Sequence, residues 1–367
     1  MLIFISLTLL YAVRGENFDY PVEGPELVAP LNPQLFSPCL APVFDFEYGR
    51  FDPVLFVNFP LTLPPISGCP ELFKKKTIRF LAISRENPNT ITTVQDIKPG
   101  SKIAIYIHGY TEEYDSIEGI TAALTTLRDN DWVVLVDWAR LAHPRTIGRL
   151  RIPYMNVVLA GVNTLLLGRV TCKFIKFMNE KHGILIEDIF LVGFSYGAVT
   201  LGFLADYCRE KYRIHFNHMM GIELVAKPFR NSNYPLTNHT SAKFFNALLS
   251  TRALGIPVVD DISSNLAHLG YYEVAADCAY YVNHELILAE QPPCFILPGP
   301  TFCSHFFGLQ VFIAAYSGRC LYQYGPCPVI VRVPSNQEVG FTKLDCSDHP
   351  FLQRTCIRTS SNPLKSC

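Results

Sequence analysis

The residues best suited to covalent chemistry in this chain follow an apolar run at Ile189–Phe194. Ser195 comes next, flanked by Gly193 and Gly197 in a G-x-S-x-G pattern, and the small residue Ala198 opens a helical stretch. A strand that turns this sharply into a helix needs neighbours with almost no side chain. The turn lifts the serine hydroxyl to a helix N-terminus, whose free N–H groups favour developing negative charge. The spacing therefore predicts Ser195 as a nucleophile.

A serine that attacks an acyl group also needs N–H donors for the oxyanion that forms. The N–H of the residue after the nucleophile, Tyr196, is the first expected donor. The second is expected at Tyr110, in the segment His108-Gly109-Tyr110-Thr111 that follows an apolar run at 102–107. Gly109 would let the backbone approach the site closely. An inert serine in a tight turn and an ordinary β-turn glycine are the alternative interpretations.

The acid of a catalytic triad is expected between the nucleophile and the histidine in the chain. Glu223 is favoured, because it stands where the strand after the Ser195 helix is expected to end. Asp206 falls inside that helix and would face away from the strand ends. Asp260 and Asp261 lie in a later loop and are the reserve candidates. The alternative for Glu223 is a plain surface carboxylate.

The base is expected among the histidines that follow the acid, at 239, 268, 284, 305 and 349. His305 is favoured, because Cys303 would hold its loop beside a disulfide and so fix the imidazole. His239 lies in the glycosylation sequon Asn238-His239-Thr240 and is expected to face solvent. His268 precedes an aromatic strand and is expected to be a packed, hydrogen-bonded side chain.

Alternating strand and helix patterns supply the elements that position these candidates. Strands are predicted at 77–83, 102–107, 132–137, 189–194, 218–224 and 244–249. Helices are predicted at 116–130, with Ser116 as N-cap, at about 154–181, and after Ser195. This order favours an α/β fold of the α/β-hydrolase type, with a mostly parallel sheet covered by helices on both faces. Ser195 would lie at the carboxyl ends of the strands, where such sheets bind ligands.

Composition limits the class of protein. With 49% hydrophobic and 17% charged residues, the bulk of the chain is expected to fold rather than remain disordered. The net charge is −1, and the only basic block is Lys74-Lys75-Lys76, so nucleic acid is not an expected partner. No cofactor or metal is expected, because no EF-hand-like or Cys/His zinc pattern appears.

The cysteines and the N-terminal segment indicate secretion. Residues 1–15 are predicted to be a signal peptide cleaved after Gly15, with an interfacial or membrane-anchoring segment as the alternative. The chain has 12 cysteines, and six disulfides formed in an oxidising compartment are the simplest account of this even number. The sequon at Asn238 is consistent with the same route. We therefore expect an extracellular protein.

Six segments, in order along the chain, resemble the pancreatic lipase-like family, which includes insect lipases, wasp-venom sn-1 phospholipases and catalytically inactive insect yolk proteins. They are Ser84-Arg85-Glu86-Asn87-Pro88, Ile107-His108-Gly109-Tyr110-Thr111, Val136-Asp137-Trp138, the Ser195 elbow, Gly221-Ile222-Glu223 with Pro228-Phe229, and Cys303-Ser304-His305. The resemblance implies a triad of Ser195, Glu223 and His305.

The resemblance also implies the domain organisation. After the signal peptide, residues 16–76 would be an irregular arm packed on the core, and 77–327 the lipase domain. Residues 328–367 would be an irregular, cysteine-bearing tail, without the C-terminal β-sandwich of larger lipases. Seven of the 12 cysteines lie between Cys294 and Cys367, so this end of the chain is expected to be the most cross-linked.

One departure from the family pattern, at the acid, and one feature shared with part of the family, the short lid, bear on function. The family acid is Asp, whereas Glu223 is one methylene longer. By resemblance, Cys294 and Cys303 would bound the lid, and the eight residues between them match the short lids of phospholipases. The expectation is a secreted hydrolase of lipid esters, an sn-1 phospholipase or neutral lipase, acting at a membrane or lipid-particle surface. The alternative is a lipase-like lipid-binding or storage protein with slow or no turnover. The oligomeric state is left open.

Overall fold

The computed structural model of the 367-residue chain describes residues 39, 41–56, 66–110, 112, 115–142, 146–147, 150–151, 153–225, 229, 234, 236–250, 276, 278–282, 294, 300–319, 322–326, 337–339 and 354–357. Several sequence-based candidates lie outside these residues. They are the signal segment 1–15, the reserve acids Asp260 and Asp261, the histidines 268, 284 and 349, and the lid residues 295–299.

The longest of the described strands, Phe216–Ile222 and Ala242–Leu249, lie in the central part of the chain. In chain order, the described strands are β1 (Val43–Asp45), β2 (Gly49–Phe51), β3 (Val54–Phe56), β4 (Ile66–Gly68), β5 (Arg79–Ser84), β6 (Ile91–Thr92), β7 (Ile103–Ile107), β8 (Trp132–Asp137), β9 (Thr146–Ile147), β10 (Leu150–Arg151), β11 (Ile189–Phe194), β12 (Phe216–Ile222), β13 (Ala242–Leu249), β14 (Cys278–Val282), β15 (Tyr322–Pro326), β16 (Gln337–Val339) and β17 (Arg354–Ile357).

One large sheet has the spatial order β16-β15-β17-β14-β13-β12-β11-β7-β8-β5-β6 within the described residues. Its centre, from β8 to β17, is parallel, and antiparallel strands flank it on both sides. Strands β7 and β11 are buried along their whole length, which explains their uninterrupted apolar sequences. The predicted mostly parallel α/β sheet is confirmed.

Five α-helices accompany these strands in the described part of the chain. They are α1 (Ile117–Thr125), α2 (Ala139–Ala142), α3 (Pro153–His182), α4 (Tyr196–Tyr212) and α5 (Pro300–Tyr316). Short 3-10 helices lie at Leu72–Thr77, Val94–Asp96, Thr126–Arg128 and Ile186–Asp188. The hydroxyl of Ser116 accepts a hydrogen bond from Gly119 N–H, so the predicted N-cap of α1 is confirmed.

The sheet separates two hydrophobic cores. One core packs α3 and α4 against one face, and the other packs α1 and α5 against the opposite face. Strand β7 contributes to both, because Ile103, Ile105 and Ile107 point to one side while Ala104 and Tyr106 point to the other. The α/β-hydrolase architecture thus has helices on both faces, as predicted.

The two ends of the chain differ from the irregular structure that the sequence suggested. In the arm, β1 pairs with β2 and β3 with β4, and Arg169 of α3 anchors the first hairpin. Its guanidinium lies 3.8 Å from the centre of the Phe51 ring and donates to the carbonyl oxygens of Tyr48 and Arg50. In the tail, β16 and β17 join the central sheet. Strands of three or four residues are too short to show a period-two pattern, so sequence reading missed them.

Three disulfides connect described residues, namely Cys39–Cys69, Cys172–Cys208 and Cys294–Cys303. The second joins α3 to α4 within the core, where both sulfurs are buried. Among the helices that the structure describes, none is long and apolar enough to span a lipid bilayer.

Candidate active site

Ser195 is the single residue between strand β11 and helix α4, at the carboxyl edge of the sheet. Its backbone has φ 57° and ψ −120°, a conformation that costs an L-residue energy and that clusters at functional sites. The flanking glycines have no room for a side chain. A Cβ on Gly197 would lie 2.0 Å from the carbonyl oxygen of Ile107, and one on Gly193 would lie 2.4 Å from that of Gly197.

Glu223 is the residue directly after β12, and its side chain is 0% exposed. Its φ is +54°, in the left-handed region that few side-chain-bearing residues adopt. Its Oε2 accepts a hydrogen bond from His305 Nδ1 at 3.1 Å. Its Oε1 accepts from the hydroxyl of Ser250 at 2.8 Å and from the backbone N–H of the same residue. The alternative of a surface carboxylate is therefore wrong.

Ser250 is a site residue that sequence reasoning missed. It follows β13, so it lies at the same edge of the sheet as Glu223, and its hydroxyl is also 2.5 Å from the carbonyl oxygen of Ser304. Ser250 thus links the carboxylate to the helix that carries His305. A polar residue immediately after a predicted parallel strand was the available signal.

His305 lies in the first half of helix α5, which corrects the expectation that a loop carries it. Pro300 at the first helical position and the apolar run after it are typical of a helix start, and this signal outweighs the neighbouring cysteine. The imidazole is buried, and its ring centre is 4.8 Å from that of Phe194. Since Phe194 directly precedes Ser195, this contact brings the imidazole to the elbow.

The hydrogen bonds of His305 define its tautomer. Nδ1 faces a carboxylate and donates to it, so in the neutral imidazole Nε2 bears the lone pair. That Nε2 atom is buried and has no hydrogen-bond partner among the described residues. A general base with an available lone pair has this arrangement, and catalytic hydrogen bonds of this kind often form only when substrate is bound.

Gly308 explains how the site accommodates the longer acid. It lies one turn after His305 on α5, on the side that meets Glu223. A Cβ at this position would come within 2.9 Å of both Cγ and Oε1 of Glu223, and within 2.8 Å of the Ser250 hydroxyl. The extra methylene of Glu223 therefore occupies space that a larger residue at 308 would fill.

The segment at His108–Tyr110 follows β7 and approaches the nucleophile closely. A Cβ on Gly109 would lie 2.9 Å from Cβ of Ser195, so the predicted close approach of the backbone is confirmed. His108 Nδ1 donates to the carbonyl oxygen of Gly109 at 2.9 Å, and its Nε2 accepts from Trp138 N–H at 3.3 Å. That carbonyl belongs to the peptide group whose N–H is that of Tyr110, so His108 fixes the orientation of this peptide.

The two tyrosines predicted for the oxyanion site lie together. Tyr196 is the first residue of α4 and is buried, and its ring meets that of Tyr110 edge to face at 6.3 Å. Burial raises the pKa of Tyr110, so its ring remains a neutral wall. Their backbone N–H groups come from α4 and from the loop after β7, the two sources that oxyanion sites of this fold use.

Glu112 is a second buried carboxylate, which sequence reasoning missed because no motif distinguishes it. It is 4% exposed and accepts a hydrogen bond from Gly109 N–H at 2.6 Å. Burial is the main cause that raises the pKa of Glu112 from 4.5 to about 7, and the charge of Glu118 adds to it. Because its pKa is higher in the folded than in the unfolded chain, stability should fall as pH rises between these two values.

We expect the stability of Glu112→Gln, relative to that of the unmodified chain, to increase as pH rises from 5 to 8, because only the unmodified chain has a carboxylate to ionise here. The raised pKa of Glu112 should change the difference between the unfolding free energies of the two proteins by about 2–3 kcal/mol over this pH range. Urea unfolding of both proteins at the two pH values measures it, with the exposed Glu187→Gln as the matched control. A difference that is the same at pH 5 and pH 8 would contradict the prediction.

Three further predictions concern the lid disulfide, the glycosylation sequon and metal ligands. The disulfide Cys294–Cys303 forms, and Cys303 lies on α5 two residues before His305. Asn238 precedes β13, and the hydroxyl of the neighbouring Thr237 donates to the carbonyl oxygen of Ala198 on α4. The side-chain amide of Asn238 donates to Leu236 O and its Oδ1 accepts from Thr240 N–H. Among the described residues, no three side chains of His, Cys, Asp or Glu converge as metal ligands.

Comparison with known proteins finds curated relatives in wasps. The chain is 24% identical to Phospholipase A1 2 of Vespa affinis over 295 residues, which cover 77% of this chain and 80% of the relative. It is 24% identical to Phospholipase A1 of Polybia paulista over 288 residues, covering 75% and 81%. It is 23% identical to Phospholipase A1 1 of Dolichovespula maculata over 281 residues, covering 73% and 82%.

Comparison with family profiles and solved structures is less specific. No family profile matches the chain. A putative carboxylesterase from Lactobacillus plantarum WCFS1 aligns with a TM-score of 0.29 and 11% identity, covering 70% of this chain and 81% of the other. The fold assignment accordingly stands on the strand order and helix placement described above, and the sequence resemblance is confirmed by the wasp relatives.

Proposed function

Taking the chain as a relative of the wasp phospholipases A1, we propose that it hydrolyses carboxylic esters of lipids through a covalent acyl-enzyme. Ser195 is the nucleophile, His305 the base and Glu223 the acid that orients it. The observation that carries the proposal is the hydrogen bond from His305 Nδ1 to Glu223, because it leaves the basic Nε2 at the elbow. The proposed oxyanion donors are the N–H groups of Tyr110 and Tyr196.

The proposed reaction has two halves. In the first, His305 Nε2 takes the hydroxyl proton as Ser195 Oγ attacks the ester carbonyl, and the imidazolium then gives that proton to the leaving alcohol. In the second, a water molecule loses a proton to His305 and attacks the acyl-enzyme, which releases the fatty acid and restores the hydroxyl. Glu223 remains ionised and stabilises the imidazolium, while the two N–H donors bind each oxyanion.

The proposed substrate is a glycerophospholipid cleaved at its sn-1 ester, with neutral glycerides as the second choice. The names of the three relatives support the first choice, as does the short interval between the disulfide-bonded Cys294 and Cys303. We propose that the protein is secreted and acts on a membrane or lipid-particle surface. The disulfides at Cys39–Cys69 and Cys172–Cys208 support an oxidising compartment.

Fatty acid release from defined lipids tests this function. Phosphatidylcholine vesicles with different labelled acyl chains at sn-1 and sn-2 should release the sn-1 acid, and faster than a trioleoylglycerol emulsion releases oleate at equal ester concentration. Release of the sn-2 acid alone would contradict the assigned position. If neither lipid releases a fatty acid, the proposed function is contradicted.

A second candidate is a lipase-like protein that binds or stores lipid with little turnover. The replacement of the family Asp by Glu223 favours it. A fluorophosphonate probe separates the two candidates, because it forms a covalent adduct only with an activated serine. Mass spectrometry should find the adduct on Ser195, and an unlabelled folded protein that binds vesicles would favour the second candidate.

A further inference from the structure

Glu112 is a buried carboxylate that the proposed triad does not use. Its Oε2 accepts from Gly109 N–H, and its Oε1 lies 3.5 Å from the hydroxyl of Ser116, the N-cap of α1. Within the described part of the chain no lysine or arginine pairs with it. Burying a carboxylate without a cation costs stability. A role in the neighbouring site accounts for Glu112 better than a contribution to stability does.

Gly109 lies between this carboxylate and the nucleophile. A Cβ at Gly109 would be 3.1 Å from Glu112 Oε2 and 2.9 Å from Cβ of Ser195. The carbonyl oxygen of Gly109 is bound by His108, and its N–H is bound by Glu112. Glycine has more backbone freedom than any other residue, so a glycine in a loop needs such contacts to keep one conformation. Both dihedral angles of Gly109 are fixed when both of its peptide groups are bound.

We propose that Glu112 is a positioning residue of the oxyanion site, which holds Gly109 so that the next N–H, that of Tyr110, points at the reacting acyl group. The inference rests on the proposed function and adds a residue to it. An oxyanion donor acts mainly in the transition state, and its loss typically lowers kcat by about 10²–10³-fold. Loss of Glu112 misaligns the donor rather than removing it, so the effect on kcat should be smaller and KM should change little.

The groups around Glu112 indicate how its action depends on pH. Tyr106 faces it from β7 and is buried, Glu118 faces it from α1, and the adjacent His108 is neutral because its Nε2 accepts a hydrogen bond. Since the pKa of Glu112 is about 7, the carboxylate that binds Gly109 N–H most strongly forms as pH rises through this value. The kcat of the unmodified enzyme should therefore include a rise through about pH 7 that follows the ionisation of Glu112.

Kinetics with a water-soluble short-chain p-nitrophenyl ester test the proposal without a lipid surface. Glu112→Ala should lower kcat by about 10–100-fold with KM within about twofold of the unmodified enzyme. Glu112→Gln keeps an oxygen acceptor, so it should retain kcat within about fivefold at pH 8. Because the amide does not ionise, the ratio of kcat for the unmodified enzyme to kcat for Glu112→Gln should rise by up to about fivefold between pH 6 and pH 8. Glu187→Gln, at an exposed position that does not interact with Glu112, is the matched control for the lost charge.

The outcomes separate this proposal from the proposed function. If the unmodified enzyme neither hydrolyses the ester nor reacts with a fluorophosphonate, both fail. If it does both and Glu112→Ala matches Glu187→Gln in kcat, only the role of Glu112 is overturned. Should Glu112→Ala fail to fold by circular dichroism, Glu112→Gln decides alone, and a kcat ratio to the unmodified enzyme that is the same at pH 6 and pH 8 overturns the proposal.

Discussion

Replacement of Ser195 by Ala should lower kcat for lipid esters by about 10⁵–10⁶-fold, the largest effect of any single substitution that we expect. The substitution removes the atom that forms the acyl-enzyme and leaves only binding and the oxyanion donors. Ala keeps a Cβ in the same tight turn, so the elbow should retain its backbone and its contact with Gly109. Fatty acid release from phosphatidylcholine vesicles measures the loss.

The control for Ser195→Ala is Ser317→Ala, which removes a hydroxyl just beyond the far end of α5. That variant should keep full activity, and both variants should unfold cooperatively like the unmodified chain. Hydrolysis by Ser195→Ala at more than about a hundredth of the normal rate would mean that another residue is the nucleophile.

Replacement of Glu223 by Gln should lower kcat by about 10⁴-fold, because an amide in this position favours the wrong tautomer of its histidine partner. The Gln side chain has the size of Glu and can still contact Ser250, so packing against Gly308 should be preserved. Its NH₂ group would face His305 Nδ1, which must then accept rather than donate. Nε2 would carry the proton and could no longer act as the base.

Replacement of Glu223 by Asp gives a smaller and different loss. The carboxylate retreats by about 1.5 Å, the length of one C–C bond, and leaves space beside Gly308. We expect kcat to fall by about 10–10²-fold, because the charge remains while its contact with His305 lengthens. Both variants are compared with Glu210→Gln, an exposed change on α4, in the same assay. Equal activity of Glu223→Gln and Glu210→Gln would remove Glu223 from the site.

Sequence patterns predicted the centre of the fold because its elements bury continuous apolar runs. Strands β8 and β11 begin and end at the predicted residues, and α3 differs from its predicted range by one residue at each end. Strand β11 delivers Ser195 to the predicted edge of the sheet, and β8 lies two places from it, beyond β7. Their burial on both faces leaves an unambiguous signal in the sequence.

The contacts that tune the site could not be predicted in the same way. Ser250 and Gly308 act through distances of about 3 Å to residues far away in the chain, and no local pattern encodes such contacts. Glu112 contacts Gly109 only three residues away, but no motif marks this contact. The helical setting of His305 was missed because a nearby cysteine suggested a constrained loop. The position of Glu223 was predicted, whereas its fit against a glycine of α5 was visible only in three dimensions.

Strand β17 has a consequence for how the chain assembles during synthesis. It comes after β15 and β16 in the sequence but lies between β14 and β15 in the sheet. The outer edge of β14 therefore stays without its parallel partner until residues 354–357 have left the ribosome. An open edge of this kind attracts other chains, and a pairing so distant in sequence forms slowly. Ser195, Glu223 and His305 are thus synthesised before the sheet is complete, and this interval is when a chaperone is most useful.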